Sequence, residues 1–167
     1  MIATELKVRL YGDPVLRKKS TLVYSVGPAE RMLIQSLIAT MHAHKGIGLA
    51  APQVGINQRI IVADTGNGRG PIALVNPKVL KRYGSGYMEE GCLSIPGVVV
   101  NIRRPLEIIA HYVDENNKEI EQTFVDLMAR VVMHETDHLD GKLIVDYATI
   151  LQKKKFKEQL KKIQDSG

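Results

Sequence analysis

Five consecutive residues, HETDH at positions 134–138, contain two histidines four positions apart with a carboxylate directly after the first. On an α-helix this spacing separates the two imidazoles by about 40° around the axis and by about 6 Å along it. His134 and His138 can therefore reach one metal ion, with Glu135 beside it. The pattern predicts a metal centre in which Glu135 exchanges protons.

The segment before this motif, residues 126–133, is typical of a helix because it contains neither Gly nor Pro. Leu127, Val131 and His138 fall on one face of that helix, and Asp140 and Gly141 end it. The alternative is a surface helix in which His and Glu occur in this order by chance. The otherwise apolar helix argues against that alternative, because it would bury these polar groups.

A catalytic metal site of this kind needs a third protein ligand and one open position. The candidate is Cys92, the only cysteine of the chain, which also excludes an internal disulfide. With two neutral imidazoles, its thiolate would leave a divalent metal with a net charge of about +1. Gly91 and the turn at residues 95–97 predict a shaped backbone rather than a continuing strand. The alternative role for Cys92 is a small buried hydrophobe.

A second glycine-rich segment, GIGLAAPQ at residues 46–53, lacks the lysine of a phosphate-binding loop and the spacing of a dinucleotide site. Its small residues allow the backbone to approach closely, either to a substrate or to another strand. Gln53 at its end can donate its amide to an oxyanion or cap a turn. The sequence leaves both pairs of alternatives open.

The elements that must position these residues follow from periodicity and from turn residues. A helix is predicted at residues 28–43, the metal-binding helix follows a β-rich middle, and a basic helix is predicted at residues 148–164. Strands are predicted at residues 58–63, 72–75, 79–83, 98–102, 106–113 and 119–124. We therefore expect an α+β fold, with mainly antiparallel sheets around the central HExxH helix and with N- and C-terminal helices.

The composition is that of a globular protein. With 167 residues, 44% hydrophobic and 25% charged, the sequence predicts one domain over residues 1–167. It has no apolar run of the roughly 18 residues needed to cross a bilayer, and its first ten residues lack a signal-like apolar core. We therefore expect a cytoplasmic protein. Much of the net charge of +5 lies near the C-terminus, where it is typical of a solvated helix face or of a surface for an anionic partner.

Taken together, GIGLAAPQ (residues 46–53), EGCLS (90–94) and HETDH (134–138) resemble the three signature motifs of the peptide deformylase family in order and spacing. The resemblance covers about residues 6–146, and includes DPVLR (13–17), Arg104-Pro105 and LDG (139–141). Two departures stand out. His44 and Lys45 occupy positions where an acidic pair is common in the family, and Met133 replaces the usual Gln or Cys.

The resemblance implies removal of the formyl group from the N-terminal methionine of new polypeptides. It assigns the metal to Cys92, His134 and His138, and general base and acid chemistry to Glu135. The oxyanion would be stabilised by the backbone N–H of Leu93 and the amide of Gln53. The residues assigned to substrate binding are Ile47, Gly48, Gly91, Met88, Arg104, Leu127 and Val131.

The resemblance also implies one divalent metal, Fe²⁺ in the cell, with Zn²⁺, Ni²⁺ or Co²⁺ able to replace it. The expected partners are N-formylmethionyl peptides and, through the basic C-terminal helix, the ribosome; neither a membrane nor sequence-specific nucleic-acid binding is expected. A zinc peptidase is the alternative enzyme, since many peptidases contain HExxH. A non-catalytic module with a structural metal and an RNA-binding tail is the third hypothesis, although such a site normally uses four protein ligands.

Overall fold

A computed structural model describes residues 3–167; the first two residues, which belong to the N-terminal segment considered above, lie outside it. In the described chain the longer helices are α1 (Pro28–Ala43), α2 (Asp126–Leu139) and α3 (Ile150–Ser166). The strands are β1 (Gly48–Ala50), β2 (Ile60–Ala63), β3 (Ile72–Tyr83), β4 (Gly86–Cys92), β5 (Ile95–Arg104), β6 (Glu107–Val113) and β7 (Glu119–Val125). Short 3₁₀ helices cover Pro14–Arg17, Ala51–Val54 and Ile144–Tyr147.

The strands form two antiparallel sheets. The larger has the order β1-β2-β3-β6-β7, and the smaller pairs β4 with β5. Helix α2 packs against β1, β2 and β7 of the larger sheet, and its Arg130 and His134 hydrogen-bond to Glu90 on β4 of the smaller one, so the HExxH residues lie between the sheets. The predicted α+β fold, with antiparallel sheets around this helix, is confirmed.

Three clusters of buried side chains hold these elements together. One joins α1 to β1 and β2, a second joins α2 to the large sheet, and a third joins β5 to α3 and to the segment before it. Ile163 on α3 belongs to the third cluster, and Phe156 and Leu160 of the same helix pack against that cluster. Among the described residues, none of the helices has the length and apolar character needed to span a bilayer.

Helix α2 begins and ends abruptly, which fixes the metal-binding residues relative to the sheets. Asp126 starts it directly after β7 with a φ of 51°, and its N–H donates to the Leu106 carbonyl at 2.8 Å. At the other end Gly141 has a φ of 73°, and a Cβ at this position would lie 2.5 Å from the Arg17 carbonyl oxygen. Only glycine fits that turn without displacing backbone.

Several predicted elements differ from those observed. The shaped backbone predicted for residues 89–97 is found at Gly91, where the pairing of β4 with β5 is irregular between Glu90 and Cys92. The turn predicted at residues 95–97 is wrong, because the turn occupies residues 93–94 and residues 95–97 belong to β5. The strands predicted at 72–75 and 79–83 are one strand, β3, with an irregular register at Asn76 and Pro77. Strand β1 was not predicted, because three residues carry no periodicity. Helix α3 begins at Ile150 after the Thr149 cap, rather than at residue 148.

Candidate active site

Helix α2 presents His134, Glu135 and His138 toward the same region. The His134 and His138 ring centroids lie 5.2 Å apart, as expected for residues one helical turn apart. Cys92, at the end of β4, comes close from the smaller sheet: its Sγ lies 3.4 Å from Nε2 of His138. One donor atom each from Cys92, His134 and His138 lies within 4.8 Å of the other two. The structure thus brings together the three predicted ligands.

The chemistry of this donor set fits a bound metal. The contacts of Cys92 Sγ within the cluster are long, at 3.4 Å to His138 Nε2 and 3.5 Å to Gln53 Nε2, and an ion that takes the lone pairs of the thiol and the two imidazoles would stabilise them. Nδ1 of His134 donates to Glu90 at 2.8 Å, which leaves Nε2 unprotonated and free to bind an ion. Burial lowers the pKa of His138 and favours its neutral, metal-binding form.

Glu135 is a buried carboxylate placed beside this cluster. Its side chain reaches within 3.8 Å of His134 Nε2 and 4.0 Å of His138 Nε2, and its Oε1 has no hydrogen-bond partner among the described residues. Burial raises the pKa of the Glu135 carboxyl to about 7. A carboxylate whose pKa lies near neutrality can both accept and return a proton, as a general base and acid must.

Gln53 lies on the 3₁₀ helix that follows β1, and its orientation is fixed at both ends of the amide. Its Oε1 accepts from the Ala50 N–H at 3.0 Å, and its Nε2 donates to Ser94 Oγ at 3.1 Å and to Cys92 Sγ at 3.5 Å. The amide N–H groups therefore point toward the cysteine side of the cluster. The role predicted for Gln53 as a donor to an oxyanion stays a prediction.

A cavity of about 490 Å³ opens in front of the cluster. Every residue predicted to take part in catalysis or substrate binding lines it, with one exception, Arg104. The predicted residues that line it are Ile47, Gly48, Gln53, Met88, Gly91, Cys92, Leu93, Leu127, Val131, His134 and Glu135. Of the predicted ligands only His138 lies behind this wall, where it is 1% exposed.

Gly48 forms part of the cavity wall in a position that a side chain cannot occupy. A Cβ there would lie 2.6 Å from Glu135 Oε2 and 2.7 Å from Val131 Cγ1. The backbone of β1 therefore approaches the Glu135 carboxylate more closely than an alanine would allow.

We expect Gly48→Ala to lower kcat/KM by about 100-fold, because a displacement of Glu135 by about 1 Å is enough to misalign proton transfer. Metal content should stay stoichiometric, since the ligands lie outside the clash. Gly27→Ala, remote from the cavity and facing only the flexible end of Glu30, is the matched control. Hydrolytic activity and elemental analysis of both variants measure the effect. Near-normal activity of Gly48→Ala would show that the cavity wall accommodates the methyl group without misaligning Glu135, and would contradict this prediction.

Arg104 departs from its predicted role in substrate binding. It is 3% exposed and does not line the cavity. Its guanidinium donates to both carboxylate oxygens of Glu90 at 2.9 Å, and also to Asp137 at 2.7 Å and Tyr147 Oη at 3.1 Å. Because Glu90 in turn accepts from His134, Arg104 contacts the metal cluster indirectly, from behind.

This buried charge network also includes Arg130, which donates to Glu90 Oε2 at 2.7 Å and to the carbonyls of Ile102 and Gly86 at 2.8 Å. Although burial opposes it, hydrogen bonds from Arg104 and His134 lower the pKa of Glu90 to about 2. Glu90 therefore stays ionised and holds the His134 ring in one orientation. The network is the functional feature that sequence reasoning missed; Glu90 in EGCLS was its only local signal.

Removing the Arg104 guanidinium should leave the Glu90 charge buried without its main partner. We expect Arg104→Met to lower the free energy of unfolding by about 3–5 kcal/mol, the usual cost of breaking a buried pair. Arg103→Met is the matched control, because the neighbouring arginine is exposed and donates to Ser85 alone among the described residues. Chemical denaturation of both variants gives the comparison, and equal losses would contradict a structural role for the network.

A three-ligand cluster with a carboxylate beside it, at the head of a cleft, defines the class of metal-dependent hydrolase centres. The sequence model of the polypeptide deformylase family matches residues 5–154. The chain therefore belongs to that family.

Individual relatives agree with this assignment. The chain is 48% identical over 141 residues to the peptide deformylase of Pseudothermotoga lettingae, covering 84% of this chain and 81% of that protein. It is 37% identical over 164 residues to that of Endomicrobium trichonymphae, covering 98% of both. The crystal structure of a Legionella pneumophila peptide deformylase matches with a TM-score of 0.91 and 33% identity, over 97% of this chain and 96% of that one.

Proposed function

We propose that the protein is a metal-dependent hydrolase that removes the formyl group from N-formylmethionyl polypeptides and releases formate. The observation that carries this proposal is the approach of Cys92 to His134, Glu135 and His138 at the head of a peptide-sized cleft. Membership of the polypeptide deformylase family supports it. We further propose that residues 1–167 form one catalytic domain.

Cys92, His134 and His138 would hold the metal. We propose Fe²⁺ as the ion used in the cell, with Zn²⁺, Ni²⁺ or Co²⁺ able to replace it, since imidazole and thiolate ligands suit all four. When bound, the ion would supply Lewis acidity, which acidifies a water molecule and polarises a carbonyl group. Glu90 contributes by fixing the tautomer of His134 through the bond to Nδ1.

Glu135 would act first as general base, accepting a proton from the attacking water, and then as general acid. In the second step it returns the proton to the amine nitrogen of methionine as the bond to the formyl carbon breaks. Its burial excludes bulk water from the carboxylate, and the missing partner at Oε1 leaves one oxygen free to receive the proton.

The charge that develops on the formyl oxygen requires donors already in place. We propose the backbone N–H of Leu93 and the amide of Gln53 for this role. Both residues line the cavity, and the contact of the Gln53 amide with Cys92 Sγ holds it on the ligand side. Loss of one such donor typically costs about 10²–10³ in rate.

The peptide itself would be bound through its backbone. Ile47 and Gly48 come from one wall of the cleft and Gly91 from the other, so an extended chain can pair with both. Backbone pairing reads no side chains, which suits an enzyme that acts on many sequences. Met88, Leu127 and Val131 supply apolar surface in the same cavity, and we assign them to the methionine side chain.

The test is to purify the protein without oxygen, determine its metal content, and assay formate release from a formyl-methionyl tripeptide. Stoichiometric metal with formate release is the expected result. Stoichiometric metal with cleavage of an internal peptide bond instead would favour the zinc peptidase alternative. Stoichiometric metal without either kind of hydrolysis would favour the third hypothesis, in which the metal has only a structural role.

We further propose that the enzyme works in the cytoplasm and contacts the ribosome through α3. The apolar side of α3 packs on the third buried cluster, while its lysines are exposed and available to an anionic surface. The exposed lysines of this helix are Lys153, Lys154, Lys155, Lys157, Lys161 and Lys162.

Ribosome co-sedimentation tests this proposal, with three of these lysines, at 153, 154 and 157, changed to glutamine. The matched control changes Lys78, Lys81 and Lys118, which are exposed elsewhere. Binding that falls only in the helix variant and weakens with salt is expected. Binding that is insensitive to salt, or equal in both variants, would contradict it.

A further inference from the structure

The cleft lies between two strands that each have an unpaired edge. Within residues 3–167, strand β1 pairs with β2 alone in the large sheet, and β4 pairs with β5 alone in the small one. Residues 46–48, at the start of β1, and residues 88–92, on β4, line the cavity from two different sheets. The following inference rests on the proposed function, in which an extended formylated peptide occupies this space.

Most charged groups of the cavity wall already form ion pairs or belong to the metal site. Glu90 and Arg130 neutralise each other at 2.7 Å, while His134 and Glu135 belong to the metal site. Lys45 and Glu89 remain, and both are exposed. Neither forms an ion pair in the part of the chain that the structure describes. These two side chains are therefore free to meet a charge on the peptide.

The backbone holds Lys45 firmly at the end of α1. Its N–H donates to the His42 carbonyl at 3.0 Å, and the Gly46 N–H donates to the Met41 carbonyl at 2.9 Å. These two bonds form the Schellman arrangement that ends many helices, in which the residue at the position of Lys45 is usually glycine. Lys45 has a φ of 57°, which a lysine adopts only at a cost of about 1 kcal/mol or more.

A cation at a helix C-terminus does complement the helix dipole. However, a lysine one turn earlier on α1 would give the same benefit without the unfavourable φ. The position of Lys45 differs from such a site because it also lines the cavity. Its charge is thus directed to the cleft rather than only to the helix end.

The spacing of β structure identifies the peptide residue that Lys45 would meet. The reacting end lies beside Glu135, and Gly48 lies against that carboxylate, since a Cβ on Gly48 would be 2.6 Å from Glu135 Oε2. A peptide running antiparallel to this wall advances about 3.3 Å per residue. If its first residue lies opposite Gly48, its third lies opposite Gly46, next to Lys45.

We propose that Lys45 is a specificity-determining residue that favours an acidic side chain at the third position of the formylated peptide. Glu89, on the opposite wall, acts against this preference and limits it. Because Lys45 lies away from the reacting atoms, it contributes to binding in the ground state and the transition state alike. Its effect therefore appears in KM and not in kcat.

The experiment compares three peptides, formyl-Met-Ala-X-amide with X as Glu, Gln or Lys, so that no terminal carboxylate contributes. We expect a kcat/KM about threefold higher for Glu than for Lys, as is usual for an exposed pair, and a smaller ratio at high salt. Lys45→Glu should invert the preference, and Glu89→Gln should enlarge it. Glutamate at position 45 and glutamine at position 89 both carry a Cβ, as the original residues do, so we expect the backbone geometry to be unchanged.

Lys118→Glu is the matched control, because it changes the net charge equally at an exposed site remote from the cavity. The neutral Gln peptide gives the baseline for each variant, so that the preference is expressed as the ratio of kcat/KM for the Glu or Lys peptide to that for the Gln peptide of the same variant. Equal rates for the Glu and Lys peptides, or the same response in Lys45→Glu and Lys118→Glu, would overturn the inference. A charge preference found only with formyl-Met-X-Ala-amide would show that Lys45 meets the second peptide residue, and would contradict its proposed alignment with the third. Absence of formate from the Gln peptide with wild type would overturn the proposed function itself.

Discussion

Glu135→Gln is expected to retain its metal and to lose activity by a factor of about 10²–10⁴, the usual contribution of a general acid–base group. The substitution keeps the shape of the side chain but removes its ability to accept a proton. Since Glu135 is not among the three grouped ligands, metal content should be that of the wild type. Formate release and elemental analysis of the same preparation measure both properties. Glu135→Ala should give the same result.

The matched control is Glu121→Gln, which removes a carboxylate from an exposed position on β7. Its activity should equal that of the wild type. Full metal occupancy together with near-normal turnover in Glu135→Gln would refute the general-base role. Loss of metal in that variant would instead make the carboxylate a ligand.

Cys92→Ser is expected to reduce metal affinity and activity together. A serine hydroxyl remains neutral at pH 7, so the site would lose its negatively charged ligand and keep two neutral imidazoles. The loss should exceed the roughly 10–100-fold that removal of an outer hydrogen-bond partner costs. Titration of the metal-free protein with Zn²⁺ or Co²⁺ measures the affinity directly, and formate release measures activity at each occupancy.

Glu135→Gln serves as the comparison for Cys92→Ser, because it should lose turnover while binding metal normally. The two variants therefore separate the ligand from the base. Unchanged metal content in Cys92→Ser would return Cys92 to the role of a packing residue, for which its contact with the third buried cluster would be sufficient.

Local sequence could predict those features that short-range geometry controls. The spacing of His134 and His138 places both rings together on any helix, and the structure keeps that relation at 5.2 Å between centroids. Helix α1 runs from Pro28 to Ala43 as predicted, because proline at its start and glycine after its end are local signals. The three motifs likewise lead from the sequence to the family.

Strand β4 shows where local information fails. Residues 86–92 have no alternation of apolar and polar side chains, and Glu89 and Glu90 are poor strand formers. The strand forms because β5 supplies its hydrogen-bond partners and because Glu90 is neutralised by Arg104 and Arg130. Neither reason can be read from residues 86–92 alone.

By itself the sequence determined the pair of imidazoles, the carboxylate beside them and the α+β class, because helix geometry and hydrophobic patterning act over a few residues. Only the tertiary structure brought Cys92 to within 3.4 Å of His138, 46 residues away. The tertiary structure also showed that Arg104, which we expected at the substrate site, lies in the hydrogen-bond network behind His134. Such contacts depend on how two sheets pack around one helix, and the free energy of that packing is shared among residues far apart in the chain.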